Sequence, residues 1–298
     1  MVPWKHFKES LSSVALHCGP SLTEFTSPIP LSDAAVIHLI HLPHLHVWHV
    51  ETPPPTYSTP PLPLIFPPLK DLSLGENAYE WLSLFGRLED HTSLARGTTP
   101  LSRMKESLVA LTIQCLPRPM TDFTFTSPIQ IFRNLGLLDV DVFCHDEDGE
   151  GQCTFMLDND NVAKLVMALP QLGHLVLGHP CFENSCATTV ACLLSISVYC
   201  AKLETLEIHF NTTNILEDFK YISEDPKFRE LRSLPRCSLS FLDVFAMPLT
   251  LNTSGYQAVA DGMVDIFPSM KRCEGLSEEV WNEVSKRLRH VGTPVGRQ

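Results

Sequence analysis

A short leucine pattern, L-x-x-L-x-L, recurs along this chain of 298 residues and constrains its fold more than any other feature. Its clearest copy is Leu172–Leu177, directly after the helix-like run Asn161–Pro170. About eight copies follow one another at irregular intervals, and they begin at Leu45, Leu69, Leu108, Leu135, Leu172, Leu203, Leu239 and Met270. Because such a segment is too short to bury its own apolar face, each copy must stack on its neighbours.

The spacing of the leucines within one copy indicates a β-strand. Alternate side chains of a strand point to opposite faces, so the fourth and sixth positions enter a core and the residues between them face outward. Helix-like runs such as Asn161–Leu169 and Thr188–Cys200 connect some of the copies. A strand, a helix and a parallel strand form a right-handed crossover. The sequence therefore predicts an α/β solenoid with a parallel sheet on its concave face and helices or loops on its convex face.

Two other architectures share part of this pattern. A doubly wound sheet also alternates strands and helices, but its buried strands are usually continuous apolar runs and its phosphate-binding turns are rich in glycine. An array of HEAT-type helical repeats does not explain why polar and apolar residues alternate around Asp139, Glu207 and Asp243. Both architectures are kept as alternatives.

The positions of the copies divide the chain into three segments. Residues 1–30 have no strong pattern and are interpreted as an irregular lead-in or the remains of an earlier unit, with Leu16 and Leu22 as possible core residues. Residues 31–275 contain the solenoid of about eight irregular units. Residues 276–298 are predicted to form a capping helix and a tail, because a solenoid would otherwise expose the core face of its last repeat.

Local signals mark helices and loops within the solenoid. Ser32 and Asp33 begin a predicted helix that runs to Leu42, and a second helix is predicted over Asn77–Leu88. Thr52–Pro68 contain eight prolines and are predicted to form an extended loop, because proline cannot continue a helix or a central strand.

Composition excludes several classes of protein. The net charge of −12, from 22 Lys and Arg against 34 Asp and Glu, argues against nucleic-acid binding, which relies on basic residues. No apolar run reaches the ~18 residues of a membrane span, and residues 1–22 lack the layout of a signal peptide, so we expect a cytoplasmic or nuclear protein that binds no membrane. The ten cysteines are predicted to be reduced, with Cys115, Cys192, Cys200 and Cys237 in the core.

Three clusters have the composition of metal sites but not the spacing. The histidines of one cluster straddle a helix end, a proline and a strand, so their rings should point in different directions; they are His38, His41, His44, His46 and His49. A second cluster lacks a close cysteine pair, and it comprises Cys181, Cys186, Cys192 and Cys200. The acidic run 146–150 lacks the ligand alternation of an EF-hand and is interpreted as a charged loop. No metal, cofactor or catalytic motif is predicted.

The repeated core from Leu45 to about Gly275 resembles leucine-rich-repeat proteins. The run Leu234–Phe245, followed by Val264–Ser269 and Val280–Val284, is similar to the leucine-rich-repeat region of the F-box-like protein families of mushroom-forming (basidiomycete) fungi. In such families an F-box docks on an Skp1-type adaptor, and the repeats select the protein to be ubiquitinated. The opening pattern of an F-box is not visible in residues 1–42, so the resemblance implies an Skp1-type adaptor only if an F-box exists elsewhere.

The resemblance implies a non-enzymatic protein–protein interaction module, namely the substrate-recognition repeats of an F-box-type ubiquitin-ligase receptor. One alternative is an orphan or truncated structural repeat protein with no ubiquitin link. A third hypothesis is an enzyme whose site the sequence does not reveal.

In a solenoid, the outward residues of successive strands form columns with a spacing of ~4.8 Å. We predict a protein-binding face that consists of Asp139, Asp141, His174, Val176, Thr205, Glu207, Phe241, Asp243 and Phe245. Carboxylates beside an aromatic anchor could hold a basic or amphipathic partner. The alternative is a solvated strand face that only keeps the protein soluble.

Overall fold

A computed structural model of the chain has an α/β fold whose strands follow one another in the order of the chain. The structure describes residues 4–55, 65–92, 100–115, 126–142, 157–178, 187–244, 251–275 and 285–286. The strands are β1 (Glu24–Ser27), β2 (Val47–Val50), β3 (Asp71–Leu74), β4 (Ala110–Cys115), β5 (Leu137–Val142), β6 (His174–Leu177), β7 (Thr205–Ile208), β8 (Phe241–Val244) and β9 (Arg272–Gly275). The sheet has the strand order β1-β2-β3-β4-β5-β6-β7-β8-β9.

Helices occupy most of the connections between these strands. They are α1 (Trp4–Leu16), α2 (Asp33–Ile40), α3 (Ala78–Thr92), α4 (Ser102–Ser107), α5 (Thr126–Ile129), α6 (Asn159–Ala168), α7 (Ala191–Tyr199), α8 (Ile215–Glu224), α9 (Pro226–Arg232) and α10 (Thr253–Ile266). In a doubly wound sheet the strand order reverses at a switch point, whereas here it never reverses. The doubly wound and all-helical alternatives are therefore wrong, and the predicted α/β class with a parallel sheet is confirmed.

The contacts between residues divide the chain into two compact units. The first unit comprises Met1–Leu116, Thr121–Leu137 and Asp141–Phe143, and the second comprises Pro117–Met120, Leu138–Val140 and Cys144–Gln298. The first unit therefore contains β1 to β4, and the second contains β6 to β9. Strand β5 contributes residues to both units.

In the first unit, β1 to β4 pair in parallel and in one register. The inward residues Trp48, Leu72 and Leu111 are paired across β2, β3 and β4, and each is at most 1% exposed. Their outward neighbours are only half-buried, as a strand with one covered face requires.

A cluster of aromatic side chains fills the core of the first unit. The Trp48 and Trp81 rings meet edge to face with their centroids 5.5 Å apart, and Phe66 and Phe85 do the same at 5.5 Å. Phe132 joins the cluster with its centroid 5.9 Å from that of Phe85. Such edge-to-face pairs stabilise a core by about 0.5–1.5 kcal/mol each beyond the area that they bury.

Side-chain hydrogen bonds hold the beginning of the proline-rich loop against this core. The Thr52 carbonyl accepts a hydrogen bond from Trp81 Nε1 at 2.7 Å, and the Thr52 hydroxyl accepts one from the Leu31 amide at 2.6 Å. The described residues of the loop, 52–55 and 65–68, form neither helix nor strand, as predicted. Helix α2 begins as predicted, because the Ser32 hydroxyl caps it by accepting from the Ala35 amide.

In the second unit, β6 to β9 also pair in parallel and in one register. The inward residues Leu175, Leu206, Leu242 and Cys273 are paired across these strands and are at most 4% exposed. Helix α7 is buried from Ala191 to Ser197, which explains why its sequence is apolar on all sides.

The predicted alternation of inward and outward residues is confirmed. The first residue of every copy is buried, as are the residues at the fourth and sixth positions whose side chains the structure describes. The strand registers within each unit also join the predicted columns of outward residues. Three of the cysteines predicted to be in the core, Cys192, Cys200 and Cys237, are buried and form no disulfide, and the side chain of Cys115 lies outside the described residues.

The irregular lead-in predicted for residues 1–30 is wrong, because helix α1 and strand β1 lie there. Strand β1 pairs with β2, so the segment belongs to the sheet despite having no leucine pattern. Leu16 is 41% exposed and is not a core residue. Only the small side chains of Ser12 and Ala15 are buried on the described part of α1, so its burial does not follow its hydrophobic pattern.

Most of the predicted cap, residues 276–298, lies outside the described residues. Of that segment the structure describes Ser285 and Lys286, which are helical. Ser285 is 7% exposed, and its hydroxyl donates a hydrogen bond of 2.6 Å to the Cys273 carbonyl of β9.

Candidate functional site

The outward residues of the second unit form a surface that we call the open face. It consists of Asp139, His174, Val176, Thr205, Glu207, Phe241, Asp243, Arg272 and Glu274. The register places its residues of β6 to β9 in two columns that cross the strands. One column is His174, Thr205, Phe241 and Arg272, and the other is Val176, Glu207, Asp243 and Glu274.

The second column brings three carboxylates side by side. Glu207, Asp243 and Glu274 occupy directly paired positions on β7, β8 and β9. Neighbouring strands lie ~4.8 Å apart, and like charges at directly opposite positions destabilise a sheet. The buried apolar residues beneath these strands fix the register, so the carboxylates cannot separate by a slip along the strand.

Glu207 lies at the centre of this charge distribution. Burial raises the pKa of its carboxyl, and Asp243 and Asp139 raise that pKa further. His174 acts in the opposite direction, with its Nε2 4.0 Å from Glu207 Oε1. The Glu207 side chain is 29% exposed, so a partner in solution can reach it.

Asp243 has a similar environment on the next strand. Burial raises the pKa of the Asp243 carboxyl, Glu274 raises it further, and Arg272 lowers it. Arg272 itself lies over the Phe241 ring, with Cζ 5.4 Å from the ring centroid, and forms an ion pair with Glu274. The open face therefore holds one guanidinium of its own between an aromatic ring and a carboxylate, which is a common way to bind a cation.

The structure brings together some, but not all, of the residues predicted to form the protein-binding face. The structure brings six of them together on β6, β7 and β8, which are His174, Val176, Thr205, Glu207, Phe241 and Asp243. Asp139 acts electrostatically on Glu207. Asp141, on β5, belongs by its contacts to the first unit, and Phe245 lies outside the described residues.

Sequence reasoning missed Arg272 and Glu274. Both lie in the degenerate last copy, Met270–Gly275, whose outward positions were not included in the predicted face. The signal was present, because these residues occupy the same two outward positions as Phe241 and Asp243 in the preceding copy.

No protein-family model matches this chain. No curated protein sequence matches it either.

The histidine-rich stretch does not converge on one point. His38 Nε2 lies 3.0 Å from the Cys18 carbonyl, His41 Nδ1 lies 2.7 Å from the Ile37 carbonyl, and His46 Nδ1 lies 3.1 Å from the Pro68 carbonyl. Among the described residues, no group of three or more His, Cys, Asp or Glu side chains could hold a metal ion. Cys181, Cys186 and the acidic run 146–150 lie outside the described residues.

A groove of about 540 Å³ lies in the first unit between the prolines that follow Thr52 and the outer side of α3. Its lining residues are Pro53, Pro54, Pro55, Tyr79, Glu80, Ser83, Leu84 and Arg87. Arg87 donates a hydrogen bond to the Ser83 hydroxyl at 3.4 Å. A nucleophile paired with a His base, the usual arrangement for nucleophilic catalysis, does not occur among these lining residues.

Within the described residues, no helix combines the length and the apolar character needed to cross a membrane.

Proposed function

We propose that this chain is a leucine-rich-repeat-like solenoid that binds another protein and catalyses no reaction. The sequential order of parallel strands, most of them with an inward leucine, supports a repeat architecture. Solenoids use the outward side of their strands as an extended binding surface, so the concave face would contain the open face.

One observation carries the proposal, which is the alignment of Glu207, Asp243 and Glu274 on three neighbouring strands. This arrangement is unfavourable for the free protein, because like charges face each other on partly buried side chains. A basic or amphipathic partner would relieve the repulsion, and Phe241 offers an aromatic contact beside it. The proposal includes no nucleic acid, membrane or cofactor.

We further propose that the partner is a substrate for ubiquitination, because the repeats resemble those of fungal F-box-like receptors. The alternative is an orphan or truncated repeat protein with no ubiquitin link. The compartment that we propose is the cytosol or the nucleus, where buried cysteines that form no disulfide, such as Cys192 and Cys200, stay reduced.

Charge reversal tests the binding face. We expect the double variant Glu207→Lys/Asp243→Lys to lose its protein partners in affinity purification from the source cells, measured by quantitative mass spectrometry. The control is Glu217→Lys/Glu224→Lys, which makes the same change of net charge at exposed positions of α8. An unchanged set of partners in the Glu207 and Asp243 variant, with the fold intact by circular dichroism, would contradict the proposal.

A separate experiment tests the ubiquitin link. We expect the genomic sequence in frame upstream of Met1 to encode an F-box, and the extended protein to co-purify with an Skp1-type adaptor. The chain without that extension is the matched control and should not retain the adaptor. If no F-box is encoded there and neither protein retains the adaptor, the orphan alternative is favoured. This result would leave the binding face untouched, because the charge-reversal experiment tests that face independently.

A further inference from the structure

The open face already holds one cationic group, the guanidinium of Arg272. Arg272 lies over the Phe241 ring and pairs with Glu274, so the carboxylate of β9 has a positive partner from its own strand. The two other carboxylates of the column, Glu207 and Asp243, have weaker compensation. Glu207 Oε1 lies 4.0 Å from His174 Nε2, beyond hydrogen-bond distance, and Arg272 acts on Asp243 while it is paired with Glu274.

A partner that binds both carboxylates must match their direction and spacing on the sheet, which the register sets. Glu207 and Asp243 are paired across β7 and β8, so the line that joins them runs across the strands, with a step of ~4.8 Å. One turn of an α-helix advances ~5.4 Å, which is close to this step. Same-side residues of an extended chain are ~6.7 Å apart and fit it less well.

Two apolar side chains lie next to this pair of carboxylates. Val176 is the neighbour of Glu207 on β6, and Phe241 is two residues from Asp243 on β8. A helix that crossed the strands over the carboxylates could place an apolar side chain against Phe241, which would add desolvated contact area to the two ion pairs.

We propose that the open face takes a basic amphipathic α-helix that lies across the strands, with two Lys or Arg residues one turn apart on Glu207 and Asp243. This inference rests on the proposed function and specifies the chemistry and the direction of the partner. The cations of the helix replace the like-charge contact between the two strands with two opposite-charge contacts. The partly exposed position of these groups makes the affinity fall as salt is added.

Two synthetic helical probes test the geometry. Both are alanine-rich peptides of about 20 residues, long enough to form a helix in water, and they have the same composition with two lysines and one leucine. The first probe has its lysines at i and i+4, on one side of the helix. The second has them at i and i+2, where they point to different sides. Binding to the full chain is measured by fluorescence anisotropy at low salt.

We expect the first probe to bind at least about tenfold more tightly than the second. The variant Glu207→Gln/Asp243→Asn should abolish this preference, while Glu217→Gln/Glu224→Gln on α8 should keep it. The substitutions on the open face are nearly isosteric and point outward, so the fold should persist, and thermal unfolding of each variant checks this.

Two outcomes overturn the inference. Equal binding of both probes, weakened for both by the open-face variant, would mean that the face binds cations without a preferred direction, and the proposed function would survive. Binding that the open-face variant does not weaken, or no binding of either probe, would mean that the carboxylates do not hold a cationic helix. The proposed function is judged separately by the partners lost on charge reversal.

Discussion

At the scale of the residue, position in the sheet decides what each side chain of the open face can do. Glu207 and Asp243 are ordinary acids in the sequence, and they become neighbours only because β7 and β8 pair in register. The alternation of L-x-x-L-x-L was enough to predict that both face outward. It could not indicate that Arg272 would lie over Phe241, because that contact depends on side-chain directions on two different strands.

Glu207 should make the stability of the protein depend on pH. Because its pKa is raised, the folded state holds this proton more tightly than the unfolded chain, so the free energy of unfolding falls as pH rises from the unfolded pKa of about 4.5 through the folded pKa. We expect Glu207→Gln to be more stable than the wild type at pH 7, and the difference to vanish near pH 4. Urea denaturation of both proteins at the two pH values measures this.

The control for this experiment is Thr205→Val, which changes a neighbouring position of β7 without removing a charge. The free energy of unfolding of Thr205→Val should differ from that of the wild type by the same amount at both pH values. A Glu207→Gln variant that is less stable than the wild type at pH 7 would contradict the raised pKa.

At the scale of the element, the helices differ in how clearly the sequence marks them. Helix α2 has a Ser cap and a compact apolar stripe, and α7 is apolar throughout. Helix α8 was not predicted although its signal was present, because Ile215, Phe219 and Ile222 recur at helical spacing. Helix α1 exposes Phe7 and Val14 and buries Ser12, so it has no continuous buried apolar face from which periodicity could predict it.

The contact between α8 and α10 depends on a glycine. A Cβ atom at Gly262 would lie 2.4 Å from Phe219 Cδ1, which is too close for the ring to stay in place. Alanine is favoured over glycine in a helix by about 1 kcal/mol, but overpacking costs about 1–3 kcal/mol. We therefore expect Gly262→Ala to lower the free energy of unfolding, as measured by urea denaturation.

Gly86 of α3 provides the matched control. The nearest heavy atom to a Cβ at that position is Pro128 Cγ at 3.6 Å, an ordinary contact. We expect Gly86→Ala to be neutral or to stabilise the protein by up to about 1 kcal/mol. If Gly262→Ala proves as stable as Gly86→Ala, the close packing of Phe219 on α10 is not a constraint.

At the scale of the whole molecule, the repeat pattern predicted the α/β class, the parallel pairing and most of the strands. It succeeded because each strand must bury two or three apolar residues at fixed spacing, and every copy of the pattern has apolar residues at that spacing. It failed for β1, whose sequence Glu24–Ser27 has no leucine and pairs with β2 through its backbone. Because backbone hydrogen bonds can form with most side chains, this pairing is hard to predict from a residue pattern.

The sequence by itself determined which residues face the core and which face outward, because the period of a strand is two whatever its neighbours are. Only the tertiary structure decided which outward residues are neighbours across the second unit, and that Arg272 and Glu274 complete the columns begun by His174 and Val176. Adjacency across strands depends on the register, which the packing of buried leucines on several strands sets together. A single copy of the pattern therefore specifies the direction of its side chains, and only the assembled sheet specifies the charges that surround them.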